Sequence, residues 1–316
     1  MRIVVLGGTK FIGLAISARL LRNGHEVLVV HRGDTEPESL AAAEHLHVDR
    51  SGLRRERARI EAFGPEAAVE VYAMNGRDAT AALDVLPAGI RLVAISSGDV
   101  YRAYDGLHSG RVTDAVPLVE TSPLRTRRFV DGRDFENLEV EPPFLERGGA
   151  VLRLGAVYGP HDYQRRFEFI LRRLRGERDR IPVGSGQFLF SRVYVEDVAA
   201  AVELALTTDA AQGEAFNVVE RDTAPFGLFA QQILDAADSS AELVPVADSQ
   251  LPKDLSLTGI VSQHLLMDSA KARTVLGWEP SNREEALEKS VAWHLAHPPA
   301  VWDPDFDADD RALKGR

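Results

Sequence analysis

The chain of 316 residues contains no cysteine, which excludes disulfide bonds, thiolate nucleophiles and thiolate metal sites together. It also has no apolar run near the roughly 20 residues that a membrane-spanning helix requires, so we expect a soluble protein. An apolar strand, Ile3 to Leu6, begins almost at Met1 and leaves no room for the basic and apolar regions of a signal peptide. These absences together predict a cytoplasmic location and no membrane partner.

With cysteine absent, histidine is the residue on which we base the search for a transition-metal site, and the chain has nine. His45 and His47 alternate along a predicted strand, and His294 and His297 lie in a predicted C-terminal helix. Neither pair has an evident third ligand, so we predict no metal site.

The net charge of −11 disfavours nonspecific attraction to nucleic acid or to anionic membranes. Arginines nevertheless form two clusters, which we interpret as solvated helix and loop surface. The clusters are Arg125, Arg127, Arg128 and Arg133, and then Arg165, Arg166, Arg172, Arg173, Arg175, Arg178 and Arg180.

The first 155 residues alternate β-branched apolar runs with amphipathic or alanine-rich stretches, as successive βα units of a parallel sheet do. The predicted strands are Arg2 to Leu6, Glu26 to His31, Glu44 to Val48, Ala67 to Ala73, Arg91 to Ser96 and Ala150 to Leu154. Ile12, Ile16 and Leu20 recur every four residues and predict a helix that ends at Asn23-Gly24. The turn-rich segment 98–123 predicts a long loop beside a functional site.

The rest of the chain is predicted to be mainly helical. The predicted elements are helices at Glu168 to Leu174, from Glu196, at Leu228 to Ala237 and at Glu284 to His294, with strands near Phe188 to Val195 and at Ala215 to Val219. We predict a nucleotide-binding domain (1–157 with 192–220) and a substrate lobe (158–191 with 221–302). Residues 303–316 are acidic enough to predict a mobile tail.

The segment RIVVLGGTKFIG places three glycines between the first strand and the first helix. Gly7 permits a sharp exit from the strand, and Gly13 lets the helix approach the sheet. The helix N-terminus then presents free amides to a pyrophosphate. Since strand, glycines and helix agree, we predict a dinucleotide site rather than a plain structural turn.

This stretch resembles the GxxGxxG fingerprint of extended short-chain dehydrogenases, the NAD-dependent epimerase/dehydratase family. Lys10 stands where the middle glycine is expected, a variant that also occurs in atypical members such as the chloroplast stem-loop-binding proteins. Its ammonium either lies near the cofactor phosphates, or its stem covers the helix end. The family implies a Rossmann doubly wound α/β sheet with a smaller, mainly helical C-terminal substrate lobe.

The residues after the second and third strands bear on the choice of cofactor. An NAD site normally has an acid at the end of the second strand, whereas an arginine can pair with a 2′-phosphate. Arg32 therefore favours NADP, Asp34 is the acid that could support NAD, and stacking on adenine is the other role for Arg32. Asp49 resembles the family's adenine-amide acceptor, or else it caps the next helix.

Four later segments extend the resemblance to residue 294. SSGDVY (96–101) resembles the family's serine strand-end, with Ser97 on the catalytic serine, and VLRLGAVYGPHD (151–162) resembles the segment beside the nicotinamide. RVYVEDVAAAV (192–202) resembles the segment whose arginine binds a substrate phosphate, and AFNV (215–218) with KARTVLGWEP (271–280) resembles the closing elements. The family implies a polar substrate, such as a sugar nucleotide, between the lobes, and a homodimer.

The resemblance assigns residues to each expected contact. The expected cofactor contacts are Gly7, Gly8, Thr9, Lys10, Phe11, Ile12, Gly13, Arg32, Asp49, Ala73, Ser96 and Tyr158. The expected substrate contacts are Arg192, Gln187 and Arg165.

The family's catalytic pair is missing. Its members use a Tyr-x-x-x-Lys pair, in which lysine and the oxidised nicotinamide lower the pKa of the tyrosine. The corresponding stretch here, DGRDFENLE, puts Asp131 on the tyrosine and Phe135 on the lysine. No lysine occurs between Lys10 and Lys253, so no shift of the alignment restores the pair.

Three functions remain open from the sequence. The first is an atypical oxidoreductase or epimerase in which Ser97 acts with Asp131 or Tyr101, although Tyr101 would equally suit packing beneath the loop. The second is a cofactor-binding sensor or scaffold without turnover. The third, RNA binding through Lys10 and the arginine clusters, is disfavoured by the net acidity.

Overall fold

A computed structural model describes residues 1–128 and 135–315 of the chain. The strands, in chain order, are β1 (Arg2–Leu6), β2 (Glu26–His31), β3 (Glu44–His47), β4 (Ala67–Glu70), β5 (Arg91–Ser97), β6 (Ala150–Leu154), β7 (Ala156–Tyr158), β8 (Arg180–Val183), β9 (Arg192–Tyr194), β10 (Ala215–Val218) and β11 (Glu242–Pro245). The helices are α1 (Phe11–Arg22), α2 (Arg57–Phe63), α3 (Gly76–Val85), α4 (Arg102–Ser109), α5 (Asn137–Glu146), α6 (Glu168–Arg175), α7 (Val195–Thr207), α8 (Phe226–Ala236), α9 (Ala270–Leu276), α10 (Arg283–Ala296) and α11 (Asp307–Lys314).

Seven of the strands in the described part of the chain form one parallel sheet, in the order β10-β6-β5-β4-β1-β2-β3. The chain builds outward from β1 through β2 to β3, then crosses back to β4 and builds in the opposite direction. Loops therefore diverge at the carboxyl ends of β1 and β4, which is where doubly wound sheets hold their ligands. The predicted doubly wound α/β fold is confirmed.

The two faces of the sheet are covered by different helices because side chains alternate along each strand. Val5 and Val29 pack with Ile16 on the face that carries α1 and α7. Val4 and Leu28 lie on the opposite face in the core formed with α3 and α5. The strands predicted in the first 155 residues are present, and β6 has the predicted bounds.

Outside the seven-stranded sheet, β8 and β11 pair in parallel, and α8 packs on α10. The strand predicted near Phe188 to Val195 is shorter than expected: β9 begins only at Arg192, and Val195 already begins α7. The division into a nucleotide-binding domain and a substrate lobe stays a prediction. No helix within the described ranges combines the length and the apolar composition needed to cross a bilayer.

The segment 98–123 is not the irregular loop that the sequence predicts, because α4 lies within it. This helix buries Ala103 and Gly106, two small residues one turn apart. A β-carbon on Gly106 would come within 2.6 Å of the Thr113 hydroxyl oxygen. Because the buried residues of α4 are small, the sequence of this segment shows no hydrophobic periodicity that would predict a helix. The helix depends instead on its packing against the rest of the fold.

The acidic C-terminal segment is also ordered, so the predicted mobile tail is wrong for α11. Asp309 accepts two hydrogen bonds from the Arg173 guanidinium, at 2.7 and 2.8 Å, and both side chains are fully buried. Arg173 also donates to Asp254 at 2.7 Å. Acidic composition predicts a tail only when its carboxylates stay in water, and here one of them is the counter-ion of a buried arginine. The interpretation of Arg173 as solvated surface is wrong for the same reason.

Replacing Asp309 should destabilise the protein strongly. The variant Asp309→Asn leaves Arg173 buried with half of its bidentate contact, so we expect the free energy of unfolding to fall by about 3 kcal/mol. The matched control is Asp310→Asn, whose partner Arg178 is partly exposed and whose loss should cost less than about 1 kcal/mol. Urea unfolding of the three proteins measures both changes, and equal losses in the two variants would contradict the buried pair.

Candidate functional site

A cavity of about 800 Å³ runs along the carboxyl edge of the sheet, where β1, β2, β4 and β5 end. Its volume lies in the range of pockets that enclose small ligands and cofactors. Among the predicted cofactor contacts, the residues in its wall are Gly7, Thr9, Lys10, Phe11, Ile12, Gly13, Arg32, Asp49, Ala73 and Ser96. The structure thus brings together most of the predicted cofactor residues, and their contacts with a cofactor stay a prediction.

In the glycine turn, the first turn of α1 packs directly against the backbone of the residues that follow β1. A β-carbon on Gly13 would lie 2.1 Å from the Gly7 carbonyl oxygen, and one on Gly8 would lie 2.5 Å from the Ser17 hydroxyl. Gly7 itself has φ of +91°, which other residues rarely adopt. No side chain of the described chain caps the N-terminus of α1, so its first amides face the cavity without a partner of that kind.

The residues that follow the glycines connect the turn to its surroundings. Phe11 is buried with φ of +42° and meets the ring of Tyr163 edge-on, with centroids 6.1 Å apart. Thr9 accepts a hydrogen bond from the Thr35 hydroxyl at 3.4 Å, which joins the turn to the loop after β2. Lys10 is exposed at the start of α1, a position compatible with both of its predicted roles.

At the β2 end of the cavity, Arg32 and Asp34 form an exposed ion pair of 3.0 Å. Asp49 accepts hydrogen bonds from the Ser51 hydroxyl at 2.6 Å and the Gly52 amide at 2.8 Å, and the Ser51 bond contributes most to lowering the Asp49 pKa. Asp49 thus closes a turn just before the short helix Leu53–Glu56, and the N-cap residue of that helix is Gly52 rather than Asp49. The role of Asp49 as an adenine acceptor stays a prediction.

At the β5 end, Ser96 and Ser97 line the cavity. The Ser96 hydroxyl donates to Glu141 at 2.6 Å, whereas the Ser97 oxygen accepts only a 3.2 Å contact from the Asp99 amide. Within residues 1–128 and 135–315, therefore, the Ser97 hydroxyl hydrogen has no acceptor, whereas that of Ser96 is donated to Glu141. Phe135, at the family's lysine position, also lines this end and is 45% exposed.

The second catalytic candidate, Asp131, lies outside the described residues. The third, Tyr101, is not at the cavity. Its ring is fully buried, and its hydroxyl donates to Asn217 at 2.6 Å and accepts from Arg153 at 3.2 Å. Burial raises the pKa of Tyr101, which disfavours the phenolate. The structure shows Tyr101 in the packing role that the sequence allowed as an alternative. The prediction that Tyr101 is catalytic is wrong.

Tyr158 is likewise buried and away from the wall of the cavity, so it does not fill the predicted place beside the nicotinamide. Its hydroxyl donates to Glu220 at 2.5 Å, and desolvation, reinforced by this carboxylate, raises the Tyr158 pKa. In the same segment the cavity wall is formed instead by Leu154, Gly155 and Val157. Because side chains alternate along β7, the Tyr158 side chain points into the protein, where its partner Glu220 lies 62 residues later in the sequence.

The three predicted substrate residues do not converge on this cavity. Arg192 is buried, its guanidinium lies 3.7 Å from the centroid of Phe229, and burial lowers its pKa to about 10. Gln187 donates to the carbonyl of Ser185 in its own loop. Arg165 donates to the His297 carbonyl at 3.0 Å. The substrate role of these residues is not supported by a common pocket.

Sequence reasoning missed several residues around the β5 end. Asn137 lines the cavity and donates to both carboxylate oxygens of Asp99, each at 3.0 Å. Burial raises the pKa of Asp99 to about 6, although Asn137 and Arg125 counteract it. Tyr163 and Arg166 line the cavity from the loop after β7. The sequence carried a signal only for Asp99, which lies inside the SSGDVY segment.

Sequence reasoning also missed a histidine cluster. His45 and His47 do have further potential ligands, since His31 on the neighbouring strand and Glu36 in the next loop approach them. The potential ligand atoms of these four residues all lie within 4.8 Å of one another. The prediction that the pair lacks a third ligand is therefore wrong, and the pairing of β2 with β3 explains why.

Comparison with known proteins identifies the family. The model of the NAD-dependent epimerase/dehydratase family matches residues 3–86 and 145–218, half of the chain. The chain belongs to this family. The matched segments of this family member contain the glycine turn and β6. They leave out the stretch where the catalytic Tyr/Lys pair normally lies.

Three similar proteins share between 19% and 26% sequence identity with this member of the family. The chloroplast stem-loop binding protein of 41 kDa b from Arabidopsis thaliana is 26% identical over 337 residues, covering 99% of this chain and 84% of that protein. The UDP-glucose 4-epimerase of Stenotrophomonas maltophila, solved with NAD and formylated UDP-arabinopyranose, has a TM-score of 0.74 at 19% identity, covering 95% of this chain and 100% of that one. The UDP-glucose 4-epimerase of Thermotoga maritima, solved with UDP-glucose, has a TM-score of 0.71 at 22% identity, covering 94% and 99%. Both structural similarities confirm the fold.

A structural role for Tyr101 predicts how its hydroxyl contributes. In Tyr101→Phe the buried Asn217 and Arg153 groups lose a partner, so the free energy of unfolding should fall by about 1–3 kcal/mol. Affinity for a nicotinamide dinucleotide should not change. For stability, the control is Tyr163→Phe at an exposed tyrosine, which should change the free energy of unfolding by less than about 0.5 kcal/mol. Urea unfolding and calorimetric titration measure the two quantities, and a stable Tyr101→Phe protein that had lost turnover would return Tyr101 to the chemistry.

Proposed function

We propose that the cavity holds a nicotinamide dinucleotide and that the chain is an atypical oxidoreductase or epimerase acting on a sugar-nucleotide-like substrate. The observation that carries the proposal is the 2.1 Å approach that a Gly13 β-carbon would make to the Gly7 carbonyl. That approach places the amides of the α1 N-terminus at the wall of a cavity large enough for a dinucleotide. The pyrophosphate would lie at the turn, the adenosine over the end of β2, and the nicotinamide toward Ser97.

NADP is the favoured form of the cofactor. Arg32 lines the cavity and is exposed, and its partner Asp34 is exposed as well, so a surface ion pair worth about 1 kcal/mol or less holds the guanidinium. A 2′-phosphate carries more charge than one carboxylate and accepts a bidentate contact from arginine. The phosphate would therefore displace Asp34 from Arg32.

The reaction proposed for the β5 end uses the residues that the family motif and the cavity share. Ser97 would donate its hydroxyl hydrogen to a substrate carbonyl or alcohol oxygen. When bound with its nicotinamide toward Ser97, the dinucleotide would supply the chemistry of hydride transfer. Asp131, outside the described residues, remains the proposed proton acceptor. The relatives solved with UDP-sugars support a sugar-nucleotide-like substrate.

A second function, cofactor binding without turnover, is favoured by one observation. Phe135, which the sequence alignment predicts at the family's lysine position, lines the cavity. Its side chain has neither a donor for the nicotinamide ribose nor a charge to lower a neighbour's pKa. A protein of this kind would sense the redox state of the nucleotide pool or serve as a scaffold.

RNA binding has less support. In the second arginine cluster, Arg172, Arg173 and Arg178 pair with carboxylates, so their charge is neutralised within the fold. A cytoplasmic location and a homodimer remain our expectations for the assembled protein.

The glycine turn gives the direct test of cofactor binding. Gly13→Ala forces α1 away from Gly7, so we expect NADP affinity to fall by at least about 100-fold, equivalent to about 2.7 kcal/mol. Gly24→Ala is the control, because Gly24 has φ of +80° and no neighbour within 4 Å of an added β-carbon. It should lower stability and leave affinity unchanged. Calorimetric titration of the three proteins with NAD, NADH, NADP and NADPH measures these affinities. No heat from wild-type protein with any of the four would refute the proposal.

The ion pair at the β2 end gives two variants with opposite expected effects. Arg32→Ala should lower the ratio of NADP to NAD affinity by about 10- to 100-fold, since a hydrogen bond to a charged group contributes about 1.5–3 kcal/mol. Asp34→Asn frees the guanidinium and should raise the same ratio. Dissociation constants from the same titrations measure both ratios, and a ratio that moved in one direction in both variants would exclude Arg32 as the phosphate ligand.

A further inference from the structure

A cluster of three histidines and one glutamate lies at the edge of the sheet, close to the β2 end of the cavity. Its position follows from strand register. His31 is paired with His47, and Val29 with His45, in the parallel ladder of β2 and β3. Because side chains alternate along a strand, residues 45 and 47 share one face, and the register puts residue 31 on that face beside them.

The contacts within the cluster bring nitrogen and oxygen ligand atoms together. His31 Nε2 and His45 Nδ1 are 2.9 Å apart, and Glu36 forms a close ion pair with His47. The His31 ring meets the His47 ring edge-on, with centroids 4.8 Å apart. All four ligand atoms fit within a 4.8 Å span, which is the scale of the first coordination sphere of a small cation.

We propose that His31, His45, His47 and Glu36 form a binding site for a divalent transition-metal ion, with Zn²⁺ as the preferred occupant. Three imidazoles and one carboxylate complete a four-coordinate set, which is typical of zinc sites in proteins. Ca²⁺ and Mg²⁺ are disfavoured because they require mostly oxygen ligands. The ligand set does not include the proposed dinucleotide, although His31 also lines the cavity proposed to hold it.

The orientation of His45 suits this role. Its Nε2 lies 3.2 Å from the Leu40 carbonyl, so this nitrogen carries a hydrogen and Nδ1 presents its lone pair to the cluster. Metal-binding histidines usually make such an outer hydrogen bond to a carbonyl or carboxylate, which fixes the ring and the tautomer. The cation would replace the hydrogen shared between His31 Nε2 and His45 Nδ1.

Metal binding has one identifiable cost. The Gly33 amide donates to His31 Nδ1 at 3.2 Å. When Nε2 binds a metal, the neutral imidazole carries its hydrogen on Nδ1, so this contact is lost. The remaining ligands, His47 and Glu36, have about half of their side-chain surface exposed and can adjust to the ion.

The ion would act as a clamp. His45 and His47 belong to the edge strand β3, His31 ends β2, and Glu36 lies in the connecting loop, so one ion joins all three segments. Four protein ligands leave no open coordination position for a substrate, which is the arrangement of structural rather than catalytic zinc sites.

The test is metal titration of the full-length protein after removal of bound metal with a chelator, without added nucleotide. We expect calorimetry to show one equivalent of Zn²⁺ bound, and Co²⁺ to give the visible absorption of a four-coordinate complex. Removing a ligand should weaken Zn²⁺ binding by about 100-fold in His47→Ala and about 10-fold in Glu36→Gln, effects at least as large as those of losing an outer partner. Both side chains are half exposed, so the variants should fold, which circular dichroism confirms.

The matched control is His297→Ala, which removes an exposed imidazole far from the cluster in sequence. It should bind Zn²⁺ and Co²⁺ as the wild-type protein does. Two results would overturn the proposal. One is the absence of stoichiometric Zn²⁺ binding to the wild-type chain. The other is equal affinity in wild type, His47→Ala and Glu36→Gln, which would show that the histidines form only a hydrogen-bonded cluster.

Discussion

The close approach of α1 to the turn after β1 is the constraint on which the rest of the site depends. With no side chain at Gly13, the helix begins against the Gly7 carbonyl, and its buried face then packs on the central strands and α7. The position of α1 in turn sets where Phe11 and Thr9 meet the loops after β7 and β2. A side chain at either glycine would therefore displace the walls of the whole cavity and not only the turn, because interiors packed at crystal density do not absorb such a shift locally.

Buried arginines hold the segments that have little hydrophobic pattern of their own. Arg125 pairs with Glu136 at 2.7 Å and so joins two segments that flank the β5 end of the cavity. Arg153 on β6 pairs with Glu141 on α5 and also meets the Tyr101 hydroxyl. Ion pairs of this kind offset a large desolvation cost and add little net stability, but removing either partner is costly. They therefore favour one arrangement of polar segments over its alternatives, and the chain uses them where apolar side chains are scarce.

The sequence predicted what is local and periodic, and it failed where distant residues meet. The strands of the first 155 residues follow from short β-branched apolar runs, and α1 follows from a repeat of about four residues. The glycine turn follows from its spacing together with its place between a strand and a helix. Asp309 and Tyr158 were misassigned because their partners lie 136 and 62 residues away. His31 was overlooked for a similar reason, since its closeness to His45 depends on the register of two strands. Most of the wall of the proposed cofactor cavity could thus be predicted. At the β5 end the SSGDVY motif predicted only Ser96 and Ser97, because the family's Tyr/Lys motif is missing and no periodic pattern covers the other residues.

The loop after β2 connects the cavity with the histidine cluster. It carries Arg32 and Asp34, which face the expected adenosine ribose, and two residues later Glu36, which contacts the histidine cluster. His31 belongs to both, since it lines the cavity and also contacts His45. A doubly charged ion at the cluster would add positive potential beside Arg32 and would restrain the loop that carries it, and both effects favour a phosphate over a ribose hydroxyl. In most dinucleotide sites one acid at this position selects the cofactor; here the selection would depend on the charge and order of a whole loop.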